Sequence, residues 1–412
     1  MTDAMKVLLV NKFHYRKGGS ETYYFTLAEA LKARGHEVVF FAMQDDKNLP
    51  CAQEKYFVSN SSVNGGIKSK LNMILHLTYS KEAYQKMTQL LKAENPDLVI
   101  LNLVHKQLTL SIVDAIKAYD PRLPIFWTMH DLIAVCPSYS MRDGKGNICE
   151  KCLGGDFSHC VKNKCIKGSM LMSVLSKYEA EYIRKKKWYD QIDLFICPSE
   201  FYRKKLTEGK FTRNAIVTMR NPLPVGTVYE LCGEGEDYVL YFGRLSPEKG
   251  VKTLIEAAKL CGCRLVILGT GPQEEELKTL AKDCANIEFK GFQTGEVLRN
   301  YIKNSKCVIM PSAGYENGPY SAMEAMALGK PLIVSNLGGL PELVEDGVNG
   351  YIYDRKPEAL AESIQKMQKL PEESYIGMTH QALEKAKTMF SAEKYVQSLE
   401  IQCENILGRG RL

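Results

Sequence analysis

The chain has 412 residues, of which 45% are hydrophobic and 25% charged, and its formal net charge is +6. These values are ordinary for a globular protein with a large buried core, and the length is sufficient for two domains. The mild charge and the lack of a basic stripe interleaved with aromatic residues exclude nucleic acid as an expected partner. The sequence shows no signal peptide and no apolar run of about 18 residues, so we expect a cytoplasmic protein without a membrane span.

Short apolar runs alternate with helical patterns along the whole chain. In the first half the predicted strands are Val7–Val10, Val38–Phe41, Leu98–Leu101, Ile125–Met129 and Leu194–Cys197. In the second half they are Val239–Phe242, Leu265–Leu268, Ile287–Lys290, Val308–Met310, Leu332–Val334 and Tyr351–Tyr353. Strands that are apolar throughout and separated by helices are typical of parallel sheets covered on both faces. We therefore predict an α/β fold of two Rossmann-like, doubly wound domains.

A linker is indicated between Asn221 and Glu236, where prolines, glycines and acids cluster. We place an N-terminal domain at 1–220, a C-terminal domain at 221–391 and a final helix at 392–412. Ligands of doubly wound sheets bind beyond the carboxyl ends of the strands. Two such domains facing each other would enclose one cleft.

Two short motifs follow strands of the first half. Gly18 and Gly19 open a helix after the first strand, which allows a backbone to approach a phosphate closely; the alternative is a simple turn with Ser20 as the helix N-cap. The dinucleotide pattern Gly-x-Gly-x-x-Gly is absent here. His130 and Asp131 end a strand at the edge where α/β sites lie, although a lone histidine is more often structural.

A cysteine-rich loop spans 136–165 and holds five of the thirteen cysteines. The spacing is plausible for zinc, and a metal could order a loop that has few core residues. We predict one structural zinc ion on four thiols: Cys149, Cys152, Cys160 and Cys165. Cys136 and His159 are spare ligands, and the alternative is a loop of unpaired thiols.

Residues 151–190 hold nine Lys or Arg against four Asp or Glu, including the run Arg184–Lys187 beside Trp188. A solvated helix face is one explanation. The other is a membrane surface, because basic clusters with a tryptophan attract anionic headgroups at about 1 kcal/mol per cation. We therefore expect the N-terminal domain to dock on the inner face of a membrane.

Four charged residues follow strands in the second half. Arg244 and Lys249 flank a short loop, and such a loop is often only solvated. Glu316 lies in a Gly/Pro loop, and Glu324 lies eight positions later in a run of good helix formers, about two helical turns away. A helix N-terminus attracts anions, so this layout suits a nucleotide sugar, with phosphates at the helix start and hydroxyls held by carboxylates.

The segment from Glu316 to Glu324 resembles the Glu-x7-Glu signature of retaining glycosyltransferases, in particular family 4 with the GT-B fold. Four other stretches match the same family in order: Gly18–Glu21, His130-Asp131, Gly243–Leu245 with Lys249-Gly250, and Gly338-Gly339 with Pro341-Glu342. The resemblance spans residues 5 to about 355. It implies a nucleotide diphosphate sugar as donor, a hydroxyl acceptor, and catalysis that requires no cofactor.

The resemblance also implies roles for single residues. His130 would lie beside the transferred sugar, Arg244 and Lys249 would bind the diphosphate, Glu316 the sugar hydroxyls, and Glu324 the ribose. Further expected donor-binding residues are Gly18, Gly19, Gly271, Phe292, Asn317, Gly318, Pro319 and Tyr320. The family more often has an aromatic residue and a glycine after the first glutamate, so the Asn-Gly-Pro-Tyr of this chain leaves the donor sugar open.

We interpret the chain as a retaining glycosyltransferase that uses a UDP- or GDP-sugar. The expected acceptor is a lipid-linked glycan intermediate of bacterial surface polysaccharide synthesis. The family implies front-face displacement and a C-terminal helix that returns to the N-terminal domain. Two alternatives remain at this point: a sugar phosphorylase, which needs pyridoxal phosphate, and a non-enzymatic sensor or subunit that binds nucleotide sugars.

Overall fold

The structure is a computed structural model that describes residues 4–60, 78–233 and 235–409. It divides into two compact units. The first unit comprises Met1–Pro198, Tyr202–Val225 and Ala392–Leu412, and the second comprises Ser199–Phe201 and Gly226–Ser391. None of the helices in the described ranges is both long enough and apolar enough to cross a membrane.

The first six strands form one parallel sheet with the order β2-β1-β3-β4-β5-β6. They are β1 (Lys6–Val10), β2 (Glu37–Phe41), β3 (Leu98–Leu101), β4 (Ile125–Thr128), β5 (Leu194–Cys197) and β6 (Ala215–Thr218). The helices of this part are α1 (Gly19–Ala33), α2 (Lys81–Glu94), α3 (Ser111–Tyr119), α4 (Ser158–Lys162), α5 (Met170–Lys186) and α6 (Glu200–Glu208). The central strands β1 and β3 are almost entirely buried, as expected when helices cover both faces of a sheet.

The other six strands form a second parallel sheet with the order β12-β11-β10-β7-β8-β9. They are β7 (Val239–Phe242), β8 (Leu265–Leu268), β9 (Ile287–Phe289), β10 (Cys307–Met310), β11 (Leu332–Ser335) and β12 (Gly350–Tyr353). The helices are α7 (Val251–Cys261), α8 (Glu274–Leu280), α9 (Gly295–Asn304), α10 (Tyr320–Ala327), α11 (Pro357–Gln368), α12 (Glu372–Met389) and α13 (Ala392–Arg409). The predicted α/β fold of two doubly wound domains is confirmed.

The sequence did not predict β6. This strand lies at the edge of the first sheet, and its residues are only partly buried or exposed. An edge strand that is not covered on both faces needs no continuous apolar run, so the pattern that identifies the central strands does not identify this one.

The last helix, α13, packs on α1 in the first unit. Glu400 accepts two hydrogen bonds from the guanidinium of Arg34, at 3.0 and 3.1 Å, and its carboxylate lies 2.9 Å from Nε2 of His36. The hydroxyls of Tyr395 and Tyr23 are 2.6 Å apart. These polar contacts flank Val396 and Leu399, two apolar residues of α13 that are completely buried.

Candidate functional site

The second unit brings Lys249 and Glu316 together as an ion pair, with 2.8 Å between Nζ and Oε1. Lys249 follows β7 and Glu316 follows β10, and these strands are neighbours in the sheet. The carboxyl ends of parallel strands meet at one edge, which explains why two distant segments of sequence converge. Ser312 Oγ also donates to Glu316 Oε1 at 2.7 Å. Burial lowers the pKa of Lys249, but the attraction of Glu316 more than offsets this and holds the pKa above its usual range.

The two loops that carry the pair touch through their backbones. The amides of Ala313 and Gly314 both donate to the carbonyl of Glu248, at 2.8 and 3.0 Å. Gly250 has a φ of +68°, and a Cβ there would lie 2.0 Å from the carbonyl oxygen of Pro311. Only glycine fits this close approach, so the distance between Lys249 and Glu316 depends on it.

Arg244 lies near Lys249 and is exposed at the same edge of the sheet. Its charge acts against the protonated form of Lys249, which shows that the two cations are neighbours. Among the described residues no carboxylate forms an ion pair with Arg244. The edge therefore presents one exposed cation and one cation that is shared with a carboxylate.

Glu324 lies on α10, the helix that begins immediately after Pro319. Glu324 is partly buried, and burial raises the pKa of its carboxyl group to about 7. Within the ranges 4–60, 78–233 and 235–409, no hydrogen bond or ion pair to this carboxylate is present. A partly buried carboxylate without a protein partner is costly to ionise, so Glu324 is available to accept hydrogen bonds from a ligand.

The remaining predicted donor-binding residues of the second half lie at the same edge of the second sheet. Asn317, Gly318, Pro319 and Tyr320 form the turn into α10, and Ser199 Oγ donates to Asn317 Oδ1 at 2.9 Å. Gly271 follows β8 and packs against the backbone of Leu245, while Phe292 follows β9 with 71% of its surface exposed. An exposed aromatic ring at this position is available to stack on a flat ligand group.

The glycine motif of the first unit opens α1, which begins at Gly19 with Gly18 as its N-cap. No side chain caps this helix, and Ser20 lies inside the first turn. The alternative role of Ser20 as the N-cap is therefore wrong. The first turn leaves backbone N–H groups at the carboxyl edge of the first sheet.

His130 follows β4 in the first unit. Its Nε2 lies 3.1 Å from Asn102 Oδ1, and its ring packs edge-on against Tyr23 with 4.8 Å between the ring centroids. Burial lowers the pKa of His130 to about 3 and raises the pKa of Asp131. His130 is therefore a neutral hydrogen-bonding group at physiological pH.

A cavity of about 270 Å³ lies beyond the carboxyl ends of β1, β3 and β4 in the first unit. Residues that sequence reasoning missed line it together with His130 and Asp131: Lys12, Phe13, Asn102, Leu103, Val104, His105, Lys106, Trp127, Met129, Ile133 and Tyr139. Most of them follow a predicted strand directly. That position was the available signal, since sites of doubly wound sheets form there.

Within the described part of the chain, His105 is the lining residue whose polar atoms are buried and unsatisfied. Both ring nitrogens of His105 are buried without a hydrogen-bond partner, although Nδ1 lies 3.8 Å from the carboxylate of Glu179. Burial and the nearby Lys106 and Lys17 lower the pKa of Lys12 to about 8. Lys106 also has a φ of +74°, which is unusual outside glycine and is typical of functional sites. The cavity thus combines repelling cations with unused hydrogen-bonding capacity, and an anion would relieve both.

The cysteine-rich loop forms a small apolar cluster of its own. Cys152 and Cys160 are buried with Phe157 and Ile166, and burial together with the neighbouring thiols raises the pKa of both cysteines to about 12. In the described ranges no group of three or more His, Cys, Asp or Glu side chains could hold a metal ion. The geometry therefore does not support zinc on the predicted ligands, Cys149, Cys152, Cys160 and Cys165.

The basic run at the end of α5 does not present Trp188 to solvent. Trp188 is 1% exposed, and its Nε1 donates to Asp114 at 2.7 Å. Arg184 is also engaged, because its guanidinium lies 4.7 Å from the ring centroid of Phe157. Trp188 is therefore not available to a membrane, since α5 ends at Lys186 and the chain then turns into the core, and docking through the lysines of this run stays a prediction.

Two parallel, doubly wound sheets with charged residues at their carboxyl edges define a two-domain α/β protein of the GT-B type. A model described as Glycosyltransferase Family 4 matches residues 17–225, and one described as Glycosyl transferases group 1 matches residues 230–387. The first match covers just over half of the chain. The chain therefore belongs to the glycosyltransferase family that this model describes, and the predicted resemblance to glycosyltransferases is confirmed.

Individual proteins agree with this assignment. An uncharacterized glycosyltransferase of Methanocaldococcus jannaschii is 33% identical over 142 residues, which are 32% of this chain and 36% of the relative. The amylovoran biosynthesis glycosyltransferase AmsK of Erwinia amylovora is 32% identical over 141 residues, 31% of this chain and 33% of the relative. The chain thus matches about a third of the length of these curated relatives. The crystal structure of Anabaena Alr3699/HepE in complex with UDP and glucose aligns with a TM-score of 0.67 and 17% identity, covering 97% of this chain and all of that one. At this identity the similarity shows the GT-B fold.

Proposed function

We propose that the protein is a retaining glycosyltransferase that moves a sugar from a UDP- or GDP-sugar to a hydroxyl acceptor. One observation carries the proposal: two cations and two carboxylates meet at the carboxyl edge of the second sheet. Arg244, Lys249 and Glu316 lie together there, and the second carboxylate, Glu324, lies on α10, the helix that begins at the same edge. A nucleotide diphosphate sugar has a complementary layout, with a dianionic centre between two groups of hydroxyls.

The donor would be bound as follows. Arg244 and Lys249 hold the diphosphate, and they offset the charge that builds up on it as the sugar leaves. Glu316 accepts hydrogen bonds from sugar hydroxyls, and Glu324 accepts them from the ribose. The unpaired state of the Glu324 carboxylate supports this role, because two hydroxyl donors would satisfy it. Phe292 would stack on the base.

The cavity of the first unit would bind the acceptor. Lys12 and Lys106 favour an acceptor with an anionic group, and the phosphates of a lipid-linked glycan intermediate fit that description. The relative that acts in amylovoran biosynthesis supports a role in bacterial surface polysaccharide synthesis. Such an acceptor would bring the enzyme to the inner face of the plasma membrane. Gly18 and Gly19, which are expected to bind the donor, open α1 at the same edge of this sheet and would approach a phosphate of the donor through their backbone.

The proposed chemistry is a front-face displacement. The bond between the anomeric carbon and the phosphate oxygen breaks, a bond to the acceptor oxygen forms on the same face, and the hydroxyl proton passes to the leaving phosphate. His130 is a poor candidate for the base, because a histidine with a pKa of about 3 accepts protons only weakly. This supports the leaving phosphate as the proton acceptor and His130 as a group that orients the substrate.

Calorimetric titration with UDP, GDP and their common sugar conjugates tests the donor site. We expect one nucleotide to bind, and binding to weaken in Arg244→Ala. Lys282→Ala serves as the control, because Lys282 is an exposed cation of the same unit that precedes β9, whereas Arg244, Lys249 and Glu316 follow their strands. Equal affinity of the folded wild type and the Arg244→Ala variant for every nucleotide would mean that the site has been misassigned.

A further inference from the structure

The start of α5 exposes large apolar side chains that the proposed chemistry does not use. Within the first three turns of the helix these are Met170, Leu171, Met172, Val174 and Tyr178, with exposed fractions from 37% to 66%. Soluble proteins seldom group exposed apolar side chains in this way, and such groups mark interaction surfaces. We call these five residues the α5 apolar surface.

The exposed charged residues immediately before the α5 apolar surface are lysines, whereas Lys177 within it lies 3.5 Å from the carboxylate of Glu181. Residues 157–178 contain four lysines, Lys162, Lys164, Lys167 and Lys177, and no aspartate or glutamate. The N-terminus of α5 adds its positive dipole end to the same place, and Ser169 Oγ caps it by accepting the Met172 N–H at 3.4 Å. The patch is therefore both apolar and cationic.

The chain before α5 is held in a defined conformation. Lys164 and Lys167 both have positive φ angles, 47° and 51°, although neither is a glycine. Ile166 lies between them and is buried against Phe157, so the two lysines are forced to the outside. Two residues in a rare backbone conformation indicate that the surrounding packing holds the lysines in place.

We propose that the α5 apolar surface docks on a lipid bilayer that contains anionic headgroups. Exposed apolar side chains that directly follow the exposed lysines Lys162, Lys164 and Lys167 match the two layers of such a surface, with acyl chains below and negative headgroups above. A protein partner would need an extended acidic face around an apolar centre, which is a narrower requirement. Docking on a bilayer is a property beyond sugar transfer. It rests on the proposed function in one respect only, namely that docking would bring the enzyme to a lipid-linked acceptor. It also differs from the sequence-based expectation, because the surface lies at the start of α5 and not at Trp188.

Co-sedimentation of the full chain with vesicles tests this surface. The vesicles contain phosphatidylcholine alone or mixed with phosphatidylglycerol, each at low and high salt. We expect binding to the mixed vesicles that falls with salt, because exposed charges are screened over about 8–10 Å at physiological ionic strength. Leu171→Ser should lower the partition coefficient about tenfold, because Leu171 is 66% exposed and would enter the bilayer. Leu260→Ser is the matched control, since Leu260 is 60% exposed on α7 of the second unit.

Charge variants separate this surface from the basic run at the end of α5. Lys164→Glu with Lys167→Glu should weaken vesicle binding by at least about fivefold per lysine. Lys185→Glu with Lys186→Glu should change it less. The proposal would be overturned if Lys185→Glu with Lys186→Glu weakened vesicle binding more than Lys164→Glu with Lys167→Glu, or if the wild type bound both kinds of vesicle equally. A dimer on size-exclusion chromatography that Leu171→Ser dissociates would show instead that a second copy covers the surface. Nucleotide titration of the same variants keeps the two proposals apart, because loss of vesicle binding with intact nucleotide affinity concerns this surface alone.

Discussion

Replacing Glu324 with glutamine should stabilise the folded protein at alkaline pH and weaken donor binding at the same time. Glu324 is partly buried, and burial raises the pKa of its carboxyl group from 4.5 to about 7. Ionisation therefore costs more in the folded chain than in the unfolded one. Glutamine has nearly the same shape and carries no charge, so it removes this cost.

The magnitude follows from the pKa difference. A pKa that rises from 4.5 to about 7 on folding, at about 1.4 kcal/mol for each unit, lowers the free energy of unfolding of the ionised protein by at most about 3 kcal/mol. Because folding raises the pKa of Glu324, the folded state favours the protonated carboxyl group and stability falls as the pH rises. Its contribution to the free energy of unfolding is fully present below about pH 4.5 and is lost as the pH rises through 7. The Glu324→Gln variant should therefore match the wild type near pH 4 and exceed it by up to about 3 kcal/mol at pH 8.

Urea unfolding at several pH values measures this difference. Because the chain has two units, the transition that contains the second unit has to be followed separately. Glu362→Gln, at an exposed position of α11, is the control and should show no such dependence on pH. The variant should also bind the donor nucleotide about tenfold more weakly, because hydrogen bonds to a charged acceptor are stronger than those to a neutral one. If the difference in free energy of unfolding between Glu324→Gln and the wild type did not change with pH, the assignment of Glu324 as an unpaired carboxylate with a raised pKa would be refuted.

Three further substitutions test other parts of the account. Lys249→Ala leaves the carboxylate of Glu316 without its cation, so it should lower the free energy of unfolding and reduce turnover on the order of 10²–10³-fold. The double variant Lys249→Ala with Glu316→Ala should recover stability but not turnover. Urea unfolding measures the first quantity and nucleotide release the second. His130→Ala should reduce turnover while the nucleotide Kd from calorimetry stays constant, and a large change in Kd would contradict its place in the acceptor cavity. Leu399→Ala on α13 should cost about 2–5 kcal/mol because Leu399 is completely buried, whereas Ile401→Ala, at 55% exposure, should shift unfolding by less than about 0.5 kcal/mol.

The buried parts of the fold could be predicted from sequence because their physical signal is strong. A strand such as Leu98–Leu101 is covered on both faces and has to be apolar throughout. β6 gives no such signal, since its edge position leaves it partly exposed. The convergence of Lys249 and Glu316 could also be predicted, because both residues follow strands of one parallel sheet.

Other features depend on side-chain directions that spacing does not determine. Sequence placed Cys152 and Cys160 in one loop, but it could not tell whether their sulfur atoms converge on a metal or pack against Phe157. Likewise Trp188 is adjacent to lysines in sequence, yet the chain turns inward after α5 and buries the indole. Lys12 did not stand out, because its significance depends on its distance from Lys106, which follows another strand.

The proposed function requires that the second unit cleaves a nucleotide sugar with retention at the anomeric carbon. The most direct measurement follows nucleoside diphosphate release and the anomeric configuration of the product by NMR, for the wild type and for Arg244→Ala. We predict release that depends on an acceptor, a product with the configuration of the donor, and a loss on the order of 10²–10³-fold in the variant. A product of inverted configuration, or equal release by a folded Arg244→Ala protein, would contradict the account.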